Sequence, residues 1–313
     1  MDKYLGDLIT AQRNDTRNPD TNAITDSEFV RYNQYAQNML FGLITKVYSW
    51  LFIESEDVSI VANQQDYTVA DNISFGTRII QVEYSFDGQE KNFVRLRPTP
   101  NRYQRVTTPG RPRFYRRLHG VVRVEPTPVT AEGTLRIHYE RALDSLNIRQ
   151  ARVNGTPSGA VIDLTHSSFG APSADVEALF VLGTYICLTN AAGTPLLYNG
   201  VVSSYNVGTD ALTLSANVST YLQSGYALAD LADSYLTVGR FTTTHSKLPN
   251  EAEQYFIEYV NRCLHNRDSS KQWAFTDKNL TELAGMIIAS YNVPDKDVKS
   301  FPVDDWDLLI PGY

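Results

Sequence analysis

The sequence is poor in the residues that carry most protein chemistry. Its 313 residues include two cysteines, five histidines and three tryptophans. Cys187 and Cys263 both lie in apolar runs, where buried free thiols are a better reading than a disulfide. His119, His138, His166, His245 and His265 are scattered, with no HExxH and no Cys/His ligand spacing. No glycine-rich phosphate loop leads into a lysine, and no GxGxxG follows a predicted strand. Ser167-Ser168 and Asp304-Asp305 lack the partners of a triad or dyad. Asp304, Asp305 and Asp307 could ligate a hard cation, but their proline-flanked apolar setting fits a docking peptide better. The reading that follows is a chain without catalytic site, cofactor or metal. No apolar run reaches membrane-spanning length, and the first twenty residues lack the apolar stretch of a signal peptide. A cytoplasm-like compartment is expected.

What is present is ordinary in bulk and uneven in detail. A hydrophobic content of 42% against 20% charged residues is enough for a real core. The net charge of −7 argues against a generic polyanion binder. Nineteen tyrosines, many in predicted strands, offer area with a polar tip and suit contact surfaces as well as cores.

Taken in order, residues 1–25 read as a polar arm with one helical turn near Tyr4–Ile9. Thr25-Asp26-Ser27-Glu28 matches a capping box. Phe29, Tyr32, Ala36, Met39/Leu40, Leu43/Ile44, Val47 and Trp50/Leu51 then recur at helical spacing, predicting a long helix within 26–54. From 55 to 150 the period switches to two. Asp87-Gly88 signals a hairpin. Pro109–Leu143 reads as a meander of three strands, Arg113–Arg117, Val121–Glu125 and Thr134–Leu143. From Arg95 to Arg123 there are nine arginines and no Asp, Glu or Lys. Such a run is either a solvated face or a surface built for bidentate contacts, and the lack of lysine favours the second. The predicted basic patch is Arg95, Arg97, Arg102, Arg105, Arg111, Arg113, Arg116 and Arg117. Tyr103, Phe114 and Tyr115 interleave with it, as in single-strand nucleic-acid binders, which stays an alternative.

A Gly/Pro/Ser-rich joint at 154–159 opens a second β module, 151–247, in which Leu179–Thr189 is read as a strand. Helical spacing returns over 248–292, in two helices separated near Asp268-Ser269-Ser270. The stretch 293–313 holds five Asp against two Lys from 295 onward, with Pro302 and Pro311 excluding one continuous helix. Its Phe301, Trp306, Leu308, Leu309 and Ile310 would not be left in water by preference. It reads as an extended arm that docks on a partner, or else folds back on its own subunit.

Two stretches together resemble a known family. Gly110-x-Pro112-x-x-Tyr115, a short strand, Glu125-Pro126-x-Pro128 and Leu135-x-Ile137-x-Tyr139 are followed later by Leu248-Pro249-Asn250-Glu251-Ala252-Glu253. This order is similar to that of head-to-tail adaptor (neck, connector ring) proteins of tailed bacteriophages, especially short-tailed ones. The resemblance covers 26–143 and 246–292, and Val161–Thr243 departs from the simpler adaptors as an insertion. It implies an α+β fold. A helical core, made by the long N-terminal helix with two C-terminal helices, carries two antiparallel β modules and an extended C-terminal arm. It further implies a virion protein, assembled in the host cytoplasm. About twelve copies would form a ring joining portal to tail and continuing the DNA channel. Implied partners are the portal protein, neighbouring copies, downstream tail or tail-fibre proteins and, transiently, passing genomic DNA. A receptor- or glycan-binding module of the tail is the alternative. A cell-wall hydrolase would need a carboxylate pair that the sequence does not offer.

Overall fold

The computed structural model describes residues 1, 3–15, 24–69, 79–99, 108–118, 121–165, 178–268 and 277–291. Four α-helices form among them: α1 (Leu5–Asp15), α2 (Asp26–Val47), α3 (Ala252–Asp268) and α4 (Asp277–Ser290). Glu28 accepts the backbone N–H of Thr25 at 3.3 Å, so the carboxylate half of the capping box starts α2 as expected. Phe29, Ala36, Leu40 and Ile44 make its buried stripe, which meets Phe256 and Val260 of α3 and Ala284 and Ile287 of α4. The helical core thus joins chain segments more than 200 residues apart.

Near the N-terminus, the single helical turn expected at Tyr4–Ile9 is instead the 11-residue helix α1. Leu5, Leu8, Ile9 and Gln12 fall at helical spacing and are buried against that same core. Gln12 is polar yet buried because it exchanges two side-chain hydrogen bonds with Asn33 of α2, at 2.8 and 2.9 Å. Arg13 lies over the Phe29 ring at 4.6 Å and donates to the Ile24 carbonyl and Asp26.

The first β module consists of β1 (Ile53–Ser59), β2 (Asp66–Thr68), β3 (Ile79–Ser85), β4 (Val94–Arg95), β5 (Arg97–Pro98), β6 (Phe114–Leu118), β7 (Val121–Glu125) and β8 (Thr134–Glu140). They build two four-stranded sheets, ordered β1-β8-β3-β4 and β2-β7-β6-β5. Tyr67, Val82, Tyr115, Val122, Val124, Leu135 and Ile137 fill one core between them. The predicted three-strand meander is corrected here. β6 and β7 form the hairpin, but β8 leaves them and runs between β1 and β3 in the other sheet. Pro126 and Pro128 have no N–H to donate to a ladder, so the chain quits the sheet after Glu125 and crosses over.

On the outer face of the first sheet, Asp57, Arg136, Glu83 and Arg95 stand directly opposite one another across β1, β8, β3 and β4. Opposite charges alternate along that row, the arrangement that stabilises neighbouring strands.

β9 (Ser145–Leu146) leads into the second β module. β10 (Ala151–Val153), β11 (Val161–Thr165), β12 (Tyr185–Thr189), β13 (Pro195–Asn206), β14 (Ala211–Leu214) and β15 (Tyr235–Val238) close a barrel in the order β10-β11-β14-β13-β12-β15. Ile162, Ile186, Leu197, Val202, Leu212 and Leu236 fill it. The strand predicted over Leu179–Thr189 is shorter. Its first half turns at Gly183, whose φ of +85° favours glycine. After the barrel, β16 (Thr242–Thr243) pairs in parallel with β9, so the barrel's entry and exit lie side by side.

Candidate assembly surfaces

The sheet β2-β7-β6-β5 does not gather the predicted arginines on one face: along β6, Arg116 points away from the side of buried Tyr115, and Arg117 shares the Tyr115 side. Arg116 and Arg123 are directly opposite on β6 and β7, where like charges repel. Each is neutralised from elsewhere. Arg123 makes a bidentate pair with Asp66 of β2 at 2.6 and 2.7 Å, and Arg116 meets Glu125 at 3.2 Å. The hydrogen bond from Arg123 holds the Asp66 carboxyl below its ordinary pKa. Arg117 donates to the Tyr115 hydroxyl and the Ile80 carbonyl, at 3.2 and 3.4 Å. Arg97 and Arg113 are exposed and have no ion pair among the described residues. Arg95 faces Glu83 across β3 and β4. The patch is therefore arginine-only in sequence and mixed in space. Arg102 and Arg105 lie outside the described residues, as do Phe301, Trp306, Leu308, Leu309 and Ile310.

Arg111 stands apart from these strands. Its guanidinium lies over the Phe86 ring at 4.3 Å, a cation–π contact. Arg111 also borders a depression of about 130 Å³, walled by Tyr84, Pro112, Pro128 and Val129 with Glu132 at its rim. Phe86 is 45% exposed, Val129 56% and Val94 66%. Apolar groups of this size left in water on one side of a domain mark contact surfaces.

A third feature sits where the modules meet. The Asp144 carboxylate is fully buried, and it accepts from Tyr198 of the barrel at 2.5 Å, Arg141 at 3.2 Å and Lys247 at 3.3 Å. Arg141 also reaches Glu54 of β1 at 2.8 Å. Burial, and then Asp144 itself, push the Tyr198 hydroxyl well above the usual tyrosine range. Beside this node is a cleft of about 370 Å³, lined by Tyr139, Tyr198, Tyr221 and Phe241. Arg149 is sandwiched between the rings of Tyr4 and Tyr235, at 4.1 and 3.8 Å, clamping the N-terminal segment to the barrel. Of the residues at this node and cleft, sequence periodicity singled out Tyr139, on the alternating face of its strand, and not Asp144, Arg141, Tyr198 or Arg149. The one signal for the node was Arg141 and Asp144 at i, i+3 directly after that strand.

The family model described as SU10 adaptor protein matches residues 4–162, just over half of the 313 residues. The chain belongs to the SU10 adaptor protein family. It is a phage virion adaptor, of a family of structural head-to-tail adaptors and not of enzymes. No match was found among curated proteins. Within this adaptor the matched stretch takes in α1, α2, both sheets of the first β module, β9 and β10, and stops two residues into β11. The rest of the barrel and α3 and α4 follow it. Among the described residues no helix is long and apolar enough to cross a membrane, and no group of three His, Cys, Asp or Glu is placed to hold a metal ion.

Proposed function

We propose that this adaptor forms a closed ring of about twelve copies, set between portal and tail with the DNA channel running through it. The observation that carries this reading is a pair of stretches of unlike chemistry in one chain. A ring closes through heterologous contacts, in which a surface on one copy meets a different surface on the next. The first β module offers arginines and exposed apolar groups, and residues 293–313 offer aspartates with Phe301, Trp306, Leu308, Leu309 and Ile310. Such charge complementarity fixes register between partners. The partners are then the portal protein, neighbouring copies and downstream tail proteins, while genomic DNA passes without being held. A net charge of −7 suits a channel through which a polyanion must slide.

We divide the chain to match. Residues 26–54 and 248–292 belong to the helical core, 55–150 to the first β module and 151–247 to an inserted second one. Residues 293–313 form the docking arm. The parallel pairing of β9 with β16 supports treating the barrel as an insertion, because its two ends share one neck.

Binding of a receptor or glycan is favoured by the aromatic cleft beside Asp144. Its polar groups are already engaged, however: Arg141 with Glu54 and Asp144, and Tyr198 with Asp144. Groups so paired have little left for a ligand, which supports assembly over ligand binding.

Deleting 295–313 tests the arm. The truncated adaptor is expected to keep its secondary structure and Tm while losing assembly onto the portal or into rings. Unfolding of the truncated monomer, or assembly that proceeds unchanged, contradicts the reading.

A further inference from the structure

One end of the first β module collects exposed apolar side chains around a single guanidinium. Val94 and Tyr84 are directly opposite on β4 and β3, and Phe86 lies two residues beyond Tyr84. Tyr84, Pro112, Pro128 and Val129 wall the depression of about 130 Å³, and Arg111 is held above it by the Phe86 ring. Arg111 has no ion pair among the described residues, so its charge is available to a partner. The volume falls below the roughly 300–1,000 Å³ of small-molecule pockets and suits one large side chain. A partner for this place needs a bulky apolar group next to a carboxylate in extended chain. Asp304-Asp305-Trp306-Asp307-Leu308-Leu309-Ile310 has that alternation, and the proline after it disfavours a helical alternative.

We propose that this depression receives residues 304–310 of a neighbouring copy, with an apolar side chain between Tyr84 and the prolines and an Asp carboxylate on Arg111. The inference rests on the ring reading and names the acceptor for its arm. The stretch from 292 to 304 extends up to roughly 45 Å, against a radius of gyration of about 20 Å for a domain of this size. An Arg–carboxylate contact can be bidentate, and Arg111 is already oriented by its stack on Phe86. Glu132 at the rim limits how many aspartates can crowd in, which favours one seated register.

Cross-linking of the full chain tests this. Two variants, Val129→Cys and Leu308→Cys, are co-expressed, assembled with portal and oxidised, with the unsubstituted chain as background for Cys187 and Cys263. A disulfide-linked dimer is expected only where both variants are present. Arg111→Glu in the Val129→Cys chain should lower the linked fraction about tenfold, and Asp305→Lys with Asp307→Lys in the other chain should restore it. Native mass of the same samples reports ring formation separately. Rings without the cross-link overturn this docking site and leave the ring reading standing, whereas an absence of rings removes both. The site is also overturned by a cross-link indifferent to Arg111→Glu. The same holds if linkage occurs within a Val129→Cys/Leu308→Cys double variant and never between chains.

Discussion

Tyr198 donates its hydroxyl to the buried carboxylate of Asp144 at 2.5 Å, tying the barrel to the segment that leaves the first β module. Arg141 and Lys247 add charge to the same oxygens, and Gln37 of α2 donates to the Asp144 carbonyl at 2.9 Å. Three modules therefore converge on one residue. Removing a partner from a buried ionic node leaves an uncompensated charge. Asp144→Ala should cost about 3–5 kcal/mol, and Tyr198→Phe about 1–3 kcal/mol. Urea melts of the purified adaptor measure both. An Asp144→Ala protein as stable as the parent would mean that the node does not hold the modules together.

Gly193 closes the turn after β12 with φ of +80°, and a Cβ there would lie 2.4 Å from Nδ1 of His245. Left-handed backbone alone costs a non-glycine residue roughly 1–2 kcal/mol, and the buried ring has little room to retreat. Gly193→Ala is expected to lower stability by about 2 kcal/mol or more, read as a fall in Tm. A neutral outcome would show that the turn can rearrange.

Much of this was legible in the sequence, and what was not has a physical cause. The apolar stripe of α2 and the strand Val121–Glu125 follow from local periodicity, since burial of one face dictates both. Pairing partners do not follow from periodicity. Thr134–Glu140 alternates equally well whether it lies beside β7 or between β1 and β3, and only the crossover at Pro126 and Pro128 decides. For the candidate surface, the arginine run was visible. Its neutralisation by Asp66 and Glu125 was not, because the carboxylates come from outside the run and meet it only through sheet register. The burial of α1 was hidden by its polar composition, which the Gln12–Asn33 exchange satisfies.

Asp57 and Asp66 should make the adaptor acid-sensitive. Hydrogen bonds from Arg136 and Arg123 hold their carboxyls below the ordinary value in the folded chain. Their contribution is thus complete above an unfolded pKa of about 3.9 and fades as pH falls through the lowered folded values. Both carboxylates are about half exposed, so each pair contributes only about 0.2–1 kcal/mol. Thermal melts from pH 7 down to 2 should show Asp57→Asn/Asp66→Asn below the parent at neutral pH and the two curves drawing together toward the acid end. Parallel curves would contradict the assignment.

Arg97 and Arg113 are exposed and carry no ion pair among the described residues, so their roles in folding and assembly separate cleanly. Arg97→Glu/Arg113→Glu should change stability by no more than about 0.5 kcal/mol while weakening assembly. Filter binding to duplex and single-stranded DNA at moderate salt checks the competing role. Tight binding that collapses on Arg116→Ala/Arg117→Ala would make this patch a nucleic-acid reader instead.

Native mass spectrometry of the full-length adaptor, alone and mixed with its portal, tests the central claim most directly. The account predicts a closed oligomer of about twelve copies, formed alone or on the portal, that retains the portal as a stable partner. A species that stays monomeric at all concentrations and never binds portal would contradict it.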